Sequence, residues 1–308
     1  MTHRILLFCL IVLICQTTYS QQVDTLEDRV PLPAGLTPVV QQGQLEVVLF
    51  NTLATYQSNL PPASPYPRGR GNTLETVLQT QVGLTPNNRF SAGFDLYWSH
   101  YRFGATTQTA AFAPFGDAPT DGVAAHAISQ VGVKGRLAPV ASLPNLIVQA
   151  RVLFPTISTE KAERTLLGHD RTSAQLQLSY LQLIAPRLYG YAQVEWGAAF
   201  ENDFRKQTTW NLPVQLYLLY RLLRNREQSL TVFAGAGQTT FFEKQFKGGL
   251  RQVSFGRFWL AGTQWQLSPH FGVALAYQGA LGFDDDTPVL ASTFHGINLN
   301  FWYVGRLF

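Results

Sequence analysis

Asp95, Lys134, Arg151 and Glu195 are the residues of this 308-residue chain whose types and spacing could do the most together. Two carboxylates, an ammonium and a guanidinium held at one depth would form a charged belt. Such a belt either selects what passes it by charge or neutralises itself as buried ion pairs. Gln130, Gln149 and Gln193 share the period-two phase of Lys134, Arg151 and Glu195 in their own segments. Amides add donors and acceptors without net charge, so the seven residues are the expected lining and constriction of a polar interior.

Catalytic and metal chemistry find less support. His126 with Ser129 and His295 with Ser292 have the residue types of a hydrolase pair, but their odd spacing in extended segments puts each pair on opposite faces. His100, His126 and His295 fall near the same segment ends, with His169 in a connection, and read as solvated interface residues. Asp284-Asp285-Asp286 lacks the alternating ligand spacing of a calcium loop. The two cysteines, Cys9 and Cys15, and the lone Met1 all lie in the first fifteen residues, which leaves the rest of the chain no thiolate or thioether ligand and no disulfide. No catalytic residue, metal or cofactor is expected.

The elements that must position these side chains are strands. After residue 20 no apolar run is long enough to span a membrane as a helix, which takes about 20 residues. Instead, segments alternate apolar with polar side chains near residues 44–55, 73–85, 89–103, 123–137, 146–156, 172–184, 188–202, 209–222, 229–242, 253–267, 270–282 and 292–308. A tilted strand crosses an apolar band about 25 Å tall in roughly ten residues. The number of segments is even and their connections alternate between short and long. Tight turns are expected at Pro86-Asn87-Asn88, from Pro139 to Asn145, at Pro186-Arg187, from Asn225 to Gln228 and at Ser268-Pro269, with long stretches near 57–72, 104–122, 157–171, 203–208, 243–252 and 283–291. The expected fold is all-β: a closed antiparallel transmembrane barrel of about twelve strands, with short periplasmic turns, longer extracellular loops and both termini in the periplasm.

Parity sets the faces. Phe90, Ala92, Phe94, Leu96 and Trp98 oppose Ser91, Asp95, Tyr97 and Ser99; Leu176, Leu178 and Tyr180 oppose Gln175, Gln177 and Ser179; Ala192, Val194, Trp196 and Ala198 oppose Gln193 and Glu195, with Glu201 further out. The inward phase gathers Gln44, Gln79, Gln81, Gln215, Gln264, Gln266 and Gln278 beside the glutamines already named, and the charges Glu46, Glu75, Arg136 and Arg221. Arg257 shares the phase of Trp259 and marks a rim position or a bulge. Trp98, Tyr101, Trp210, Phe241 and Phe242 would form an outer aromatic girdle, and Phe90, Tyr189, Trp265, Phe271 and Tyr303 an inner one.

Residues 1–20, with Arg4 ahead of Ile5–Ile14 and then Thr18-Tyr19-Ser20, have the form of a Sec signal peptide cleaved after Ser20. Ile14 before Cys15 argues against lipidation. Residues 21–42 are Pro-rich and unlike a strand, a periplasmic segment suited to plug the mouth of the barrel, and 43–308 form the barrel itself. The formal charge of +4 is scattered singly, so no nucleic acid is expected as partner.

The closing stretch Ile297–Phe308, in which Leu299, Phe301 and Tyr303 alternate with Asn298 and Asn300, resembles the C-terminal signal strand of bacterial outer-membrane proteins. That resemblance implies insertion by the barrel assembly machinery. Phe308 falls on the phase of Asn298 and Asn300, which a bulge around Gly305 would repair. Pro33–Pro38 running into Leu45–Phe50 resembles uncharacterised outer-membrane proteins of Bacteroidetes-type bacteria and, more loosely, is similar to putative transporters of aromatic-degradation pathways. The combined expectation is a porin-like protein of the Gram-negative outer membrane, in contact with membrane lipid and lipopolysaccharide, passing a small polar solute. The alternatives are a structural or surface-binding barrel with a filled interior, or a membrane-embedded hydrolase.

Overall fold

The computed structural model describes residues 39–58, 69–104, 111–115, 122–157, 170–202, 207–225, 228–244, 250–283 and 292–307. Alternating sequence becomes twelve strands: β1 (Gln44–Ser58), β2 (Gly69–Gly83), β3 (Phe90–Gly104), β4 (Gly122–Leu137), β5 (Leu146–Pro155), β6 (Ser173–Ala185), β7 (Leu188–Ala199), β8 (Thr209–Arg224), β9 (Ser229–Lys244), β10 (Leu250–Gln266), β11 (Phe271–Phe283) and β12 (Ser292–Arg306). Each pairs antiparallel with the next, and β1 closes on β12 from Gln44↔Arg306 to Ser58↔Ser292. Closure leaves no sheet edge, so every strand can meet lipid with its backbone paired. The barrel lies within the unit Pro31–Phe308.

The short connections are held by their own polar groups. In the β2–β3 turn, Asn88 takes φ 55°, a left-handed conformation that Asn tolerates, while Thr85 Oγ1 accepts from the Phe90 N–H at 3.0 Å. Arg187 makes the equivalent bend between β6 and β7 at φ 68°. Ser268 Oγ accepts from the N–H groups of His270 and Phe271 in the β10–β11 turn. These turns share one end of the barrel, the end that the sequence reading expects at the periplasm.

The outward face is apolar. Phe94, Val133, Leu176, Leu178, Leu216, Leu218, Leu275 and Leu299 stand exposed along it, and Trp196 packs beside Trp210 and Phe242 at 5.6 and 6.3 Å between ring centroids near the outer end. Phe90, Trp265, Phe271 and Tyr303 lie exposed at the inner end.

Several residues depart from the sequence expectation. Tyr101 faces inward among Phe103, Ala125 and Ile157, Tyr189 lies under the Arg221 guanidinium, and Phe241 follows the inward phase of β9, so these three are not girdle members. β7 ends at Ala199, which leaves the exposed Glu201 beyond the strand. Gln182 and Gln238 face outward, unlike the glutamines assigned to the inward phase. The pairing of β1 with β12 runs through Gly305 without a register shift, so no bulge lies there; Phe308 itself lies outside the described residues. A shift does occur between Arg257 and Phe258, and Arg257 is exposed, its Nε donating to Gln238 Oε1 at 3.3 Å. Residues 1–38, His169 and Asp284–Asp286 also lie outside the described residues.

Candidate functional site

Contacts between strands that are not neighbours prove which side chains point inward. Lys134 Nζ on β4 lies 2.7 Å from Asp95 Oδ1 on β3 and donates to Gln79 Oε1 on β2 at 2.9 Å. Arg151 on β5 reaches back to Asp95 Oδ2 at 3.4 Å and to the Tyr97 hydroxyl at 2.7 Å, and its other terminal nitrogen lies 4.0 Å from Glu195 Oε2 on β7. One turn of the alternation nearer the periplasm, Arg136 crosses to Glu46 on β1 at 3.0 Å and donates through Nε to Gln149 Oε1, which is linked in turn to Gln177. Three carboxylates and three cations therefore form a charge-balanced seam. The Lys134 and Asp95 side chains are only 1% and 0% exposed. At that burial each charge is tolerated because its partners replace water, and the seam acts as a brace spanning β1 to β7.

Toward the outer rim the seam is followed by two apolar clusters. Between its tiers and the outer rim, Val77, Tyr97 and Leu153 pack together with Phe50, and Ser99 pairs with Ser129 at 2.9 Å. Above them Tyr101, Phe103, Ala125 and Ile157 form a second apolar cluster, where the Tyr56 and Tyr101 hydroxyls meet at 2.5 Å. Ser129 is the extra residue of a bulge opposite Tyr97 and Trp98, and the bulge turns both Ser129 and Gln130 into this packed interior.

The opposite wall, β8 to β12, is built from small residues and flat rings. Phe258 lies across Gly237 and Trp302 across Gly272 so closely that neither glycine could carry a Cβ without displacing the ring. Gly262, Ala274 and Ala276 continue this low relief. In its inner half the wall is dry: Leu219, Thr231, Gln264 and Ala274 are 0–3% exposed, and Thr231 Oγ1 and Gln264 Oε1, on directly paired residues, find no hydrogen-bond partner. In its outer half Gln215, Phe258, Leu260, Gln278 and Asn298 remain half-exposed. Solvent thus reaches the outer half of this wall.

The chain entering β1 helps close the other end. Val39 and Val40 are buried, Val39 against Ala138 and Ile147. Gln42 bridges Gly83, and its N–H is held by Asn88 Oδ1 at 3.0 Å.

Of the seven residues singled out from the sequence, Asp95, Lys134, Arg151 and Glu195 meet directly, and Gln149 joins them through Arg136. Gln130 instead donates to the Arg171 carbonyl at 3.2 Å, and Gln193 accepts from the Tyr191 hydroxyl at 2.9 Å, so neither belongs to the belt. Tyr97, Gln79 and Arg136 are expected on the inward face but not as members of the belt. Tyr97 shares the phase of Asp95 two residues away, and that was the available signal. Among the described residues no group of three His, Cys, Asp or Glu side chains is placed to hold a metal. His126 faces outward and Ser129 inward, so they form no catalytic pair.

No family model and no curated protein matches the chain. Solved structures do. An outer-membrane channel of Pseudomonas putida F1 superposes with a TM-score of 0.60 at 12% identity, covering 90% of this chain and all of that one. The β-domain of the Bordetella autotransporter BrkA gives 0.52 at 10% identity over 85% of this chain and 99% of that one. The fold is that of bacterial outer-membrane β-barrels.

Proposed function

We propose that this chain is an outer-membrane channel for small, uncharged polar solutes, entered from the extracellular side along the outer half of the β8–β12 wall and closed at its periplasmic half in the conformation described. The observation that carries this reading is the division of the interior. Ion-paired charges are buried on one wall, while the outer half of the other carries the partly exposed neutral amides of Gln215, Gln278 and Asn298, of which Gln215 Oε1 and Asn298 Oδ1 already accept from Tyr217 and Thr52. A barrel of twelve strands is intermediate between eight-stranded barrels, filled by side chains, and those of sixteen or more that hold open aqueous channels, and a narrow passage follows. The fold shared with the Pseudomonas channel supports the same role. Within the seam the charges balance, and His126 and Ser129 stand on opposite faces of the sheet, which does not favour a hydrolase.

Liposome swelling with a size series of neutral sugars and amides tests this, using the full chain and the Val39→Asp/Val40→Asp double variant, whose charges cannot stay in the buried places of the two valines. Slow swelling with the full chain and faster swelling with the variant is the expected result. No swelling with either, in protein that folds, would favour the filled structural barrel, a reading that the buried seam also supports.

A further inference from the structure

The lipid-facing surface divides its charges unevenly. Among the described strand residues no carboxylate faces outward: Glu46, Glu75, Asp95 and Glu195 turn into the barrel, and Glu243 follows the inward phase of β9. Among the residues whose side chains are described, the Arg, Lys and His groups that face outward in the outer halves of the strands are Arg70, His100, Arg102, His126, Arg257 and His295. The first four lie together on β2–β4. His100 pairs with His126 across the β3–β4 ladder and stacks on it at 4.9 Å, Asn72 pairs with Arg102, and Arg70 lies two residues from Asn72 on the same face. Trp98, 40% exposed and edge-on to His100, flanks the cluster on its membrane side.

Residues 111–115 of the β3–β4 connection rest against this patch. The Phe112 N–H donates to Asn72 Oδ1 at 3.0 Å, Arg102 Nη1 donates to the Phe115 carbonyl at 3.3 Å, and the Phe115 ring meets His100 edge-on. Arg102 Nε beneath them is buried with no hydrogen-bond partner. The Arg102 guanidinium, itself only partly covered, is thus met here by a neutral carbonyl and not by a carboxylate. Anions, not lipid tails, are what such a surface is built to meet.

We propose that Arg70, His100, Arg102 and His126 form a docking surface for the phosphorylated headgroup of an outer-leaflet glycolipid, with Trp98 set at the boundary between headgroup and acyl chains. The height suits that occupant: the patch lies at the extracellular end of the strands, at headgroup level and above the apolar belt of Phe94 and Val133. The sign suits it as well, since juxtamembrane cations strengthen attachment to anionic lipid additively. The proposal rests on the barrel residing in an outer membrane and is independent of transport.

The test uses the refolded full chain in phosphatidylcholine vesicles containing lipid A, with bound lipid quantified by mass spectrometry after repurification and folding checked by heat-modifiable gel mobility. The wild type retains lipid A, and the Arg70→Gln/Arg102→Gln variant loses about tenfold or more of it. Arg257→Gln, a similarly outward arginine elsewhere on the rim, retains wild-type levels. Should the double variant fail to fold, Arg102→Gln alone decides, with a several-fold loss expected. Dephosphorylated lipid A should be retained poorly, and excess inorganic phosphate should not displace the bound lipid. Equal retention by wild type and a folded variant, equal retention of the dephosphorylated lipid, or ready displacement by free phosphate would each overturn the proposal. Because swelling is measured separately, failure here leaves the channel reading standing, and a silent channel leaves this one standing.

Discussion

The two walls of this barrel have the same secondary structure and opposite interiors. From β2 to β5 the inward positions hold long side chains that reach across two or three strands, with charges paired and apolar clusters stacked above them. From β9 to β12 the inward positions hold Gly237, Gly262, Ala274, Ala276 and rings laid flat on glycine. One wall fills the interior and the other withdraws from it. A barrel of this size gains rigidity and a passage together only if the tasks are divided, because a symmetric lining would either meet in the middle or leave its charges unpaired.

If the charged wall is a brace, breaking it should cost more than any change to the opposite wall. Asp95→Ala leaves Lys134 and Arg151 buried without their shared carboxylate, and we expect about 3–5 kcal/mol lost in urea-unfolding midpoint measurements. Replacing all three charges by Leu or Met of similar volume should restore much of that loss; equal damage in the triple variant would show that the pairs themselves, and not their interruption, set the stability. Gly237→Leu, which drives the Phe258 ring off the wall, should cost about 1–3 kcal/mol in the same assay and slow swelling, since the displaced ring enters the passage. Ser99→Ala leaves Ser129 without its side-chain partner and should cost about 1 kcal/mol, with no effect on swelling because that wall lies outside the passage. The smallest stability effect is expected at Gln278→Ala, within about 0.5 kcal/mol, and there swelling by neutral solutes should still change.

The fold was almost wholly legible in the sequence, because a strand with one face in lipid must alternate, and a misplaced charge at the midplane costs about 2–4 kcal/mol. The penalty is one-sided, and the misreadings follow from that. Nothing forbids apolar side chains from turning inward, so Phe50, Tyr101, Leu153 and Leu219 fill the interior in positions that composition alone assigns to either face. A neutral glutamine costs less than a charge on the outward face, and Gln182 and Gln238 stand on it. The belt was partly legible, since Asp95, Lys134 and Arg151 occupy one phase of three successive strands. Gln130 and Gln193 share that phase too, but parity fixes a face and not a depth. The crossing of Arg136 to Glu46, three strands away, depends on barrel curvature that no local pattern records.

The direct test of the divided interior is site-specific thiol labelling, which the sequence favours because Cys9 and Cys15 are its only cysteines. With both replaced by Ser, single cysteines at Ser99 and Gln278, inward positions in the outer halves of opposite walls, would be exposed to a small water-soluble maleimide in folded, membrane-embedded protein. The account predicts rapid labelling at position 278 and strong protection at 99 until the barrel unfolds. Comparable rates at both positions would contradict it, showing an interior either open on all sides or filled on all sides.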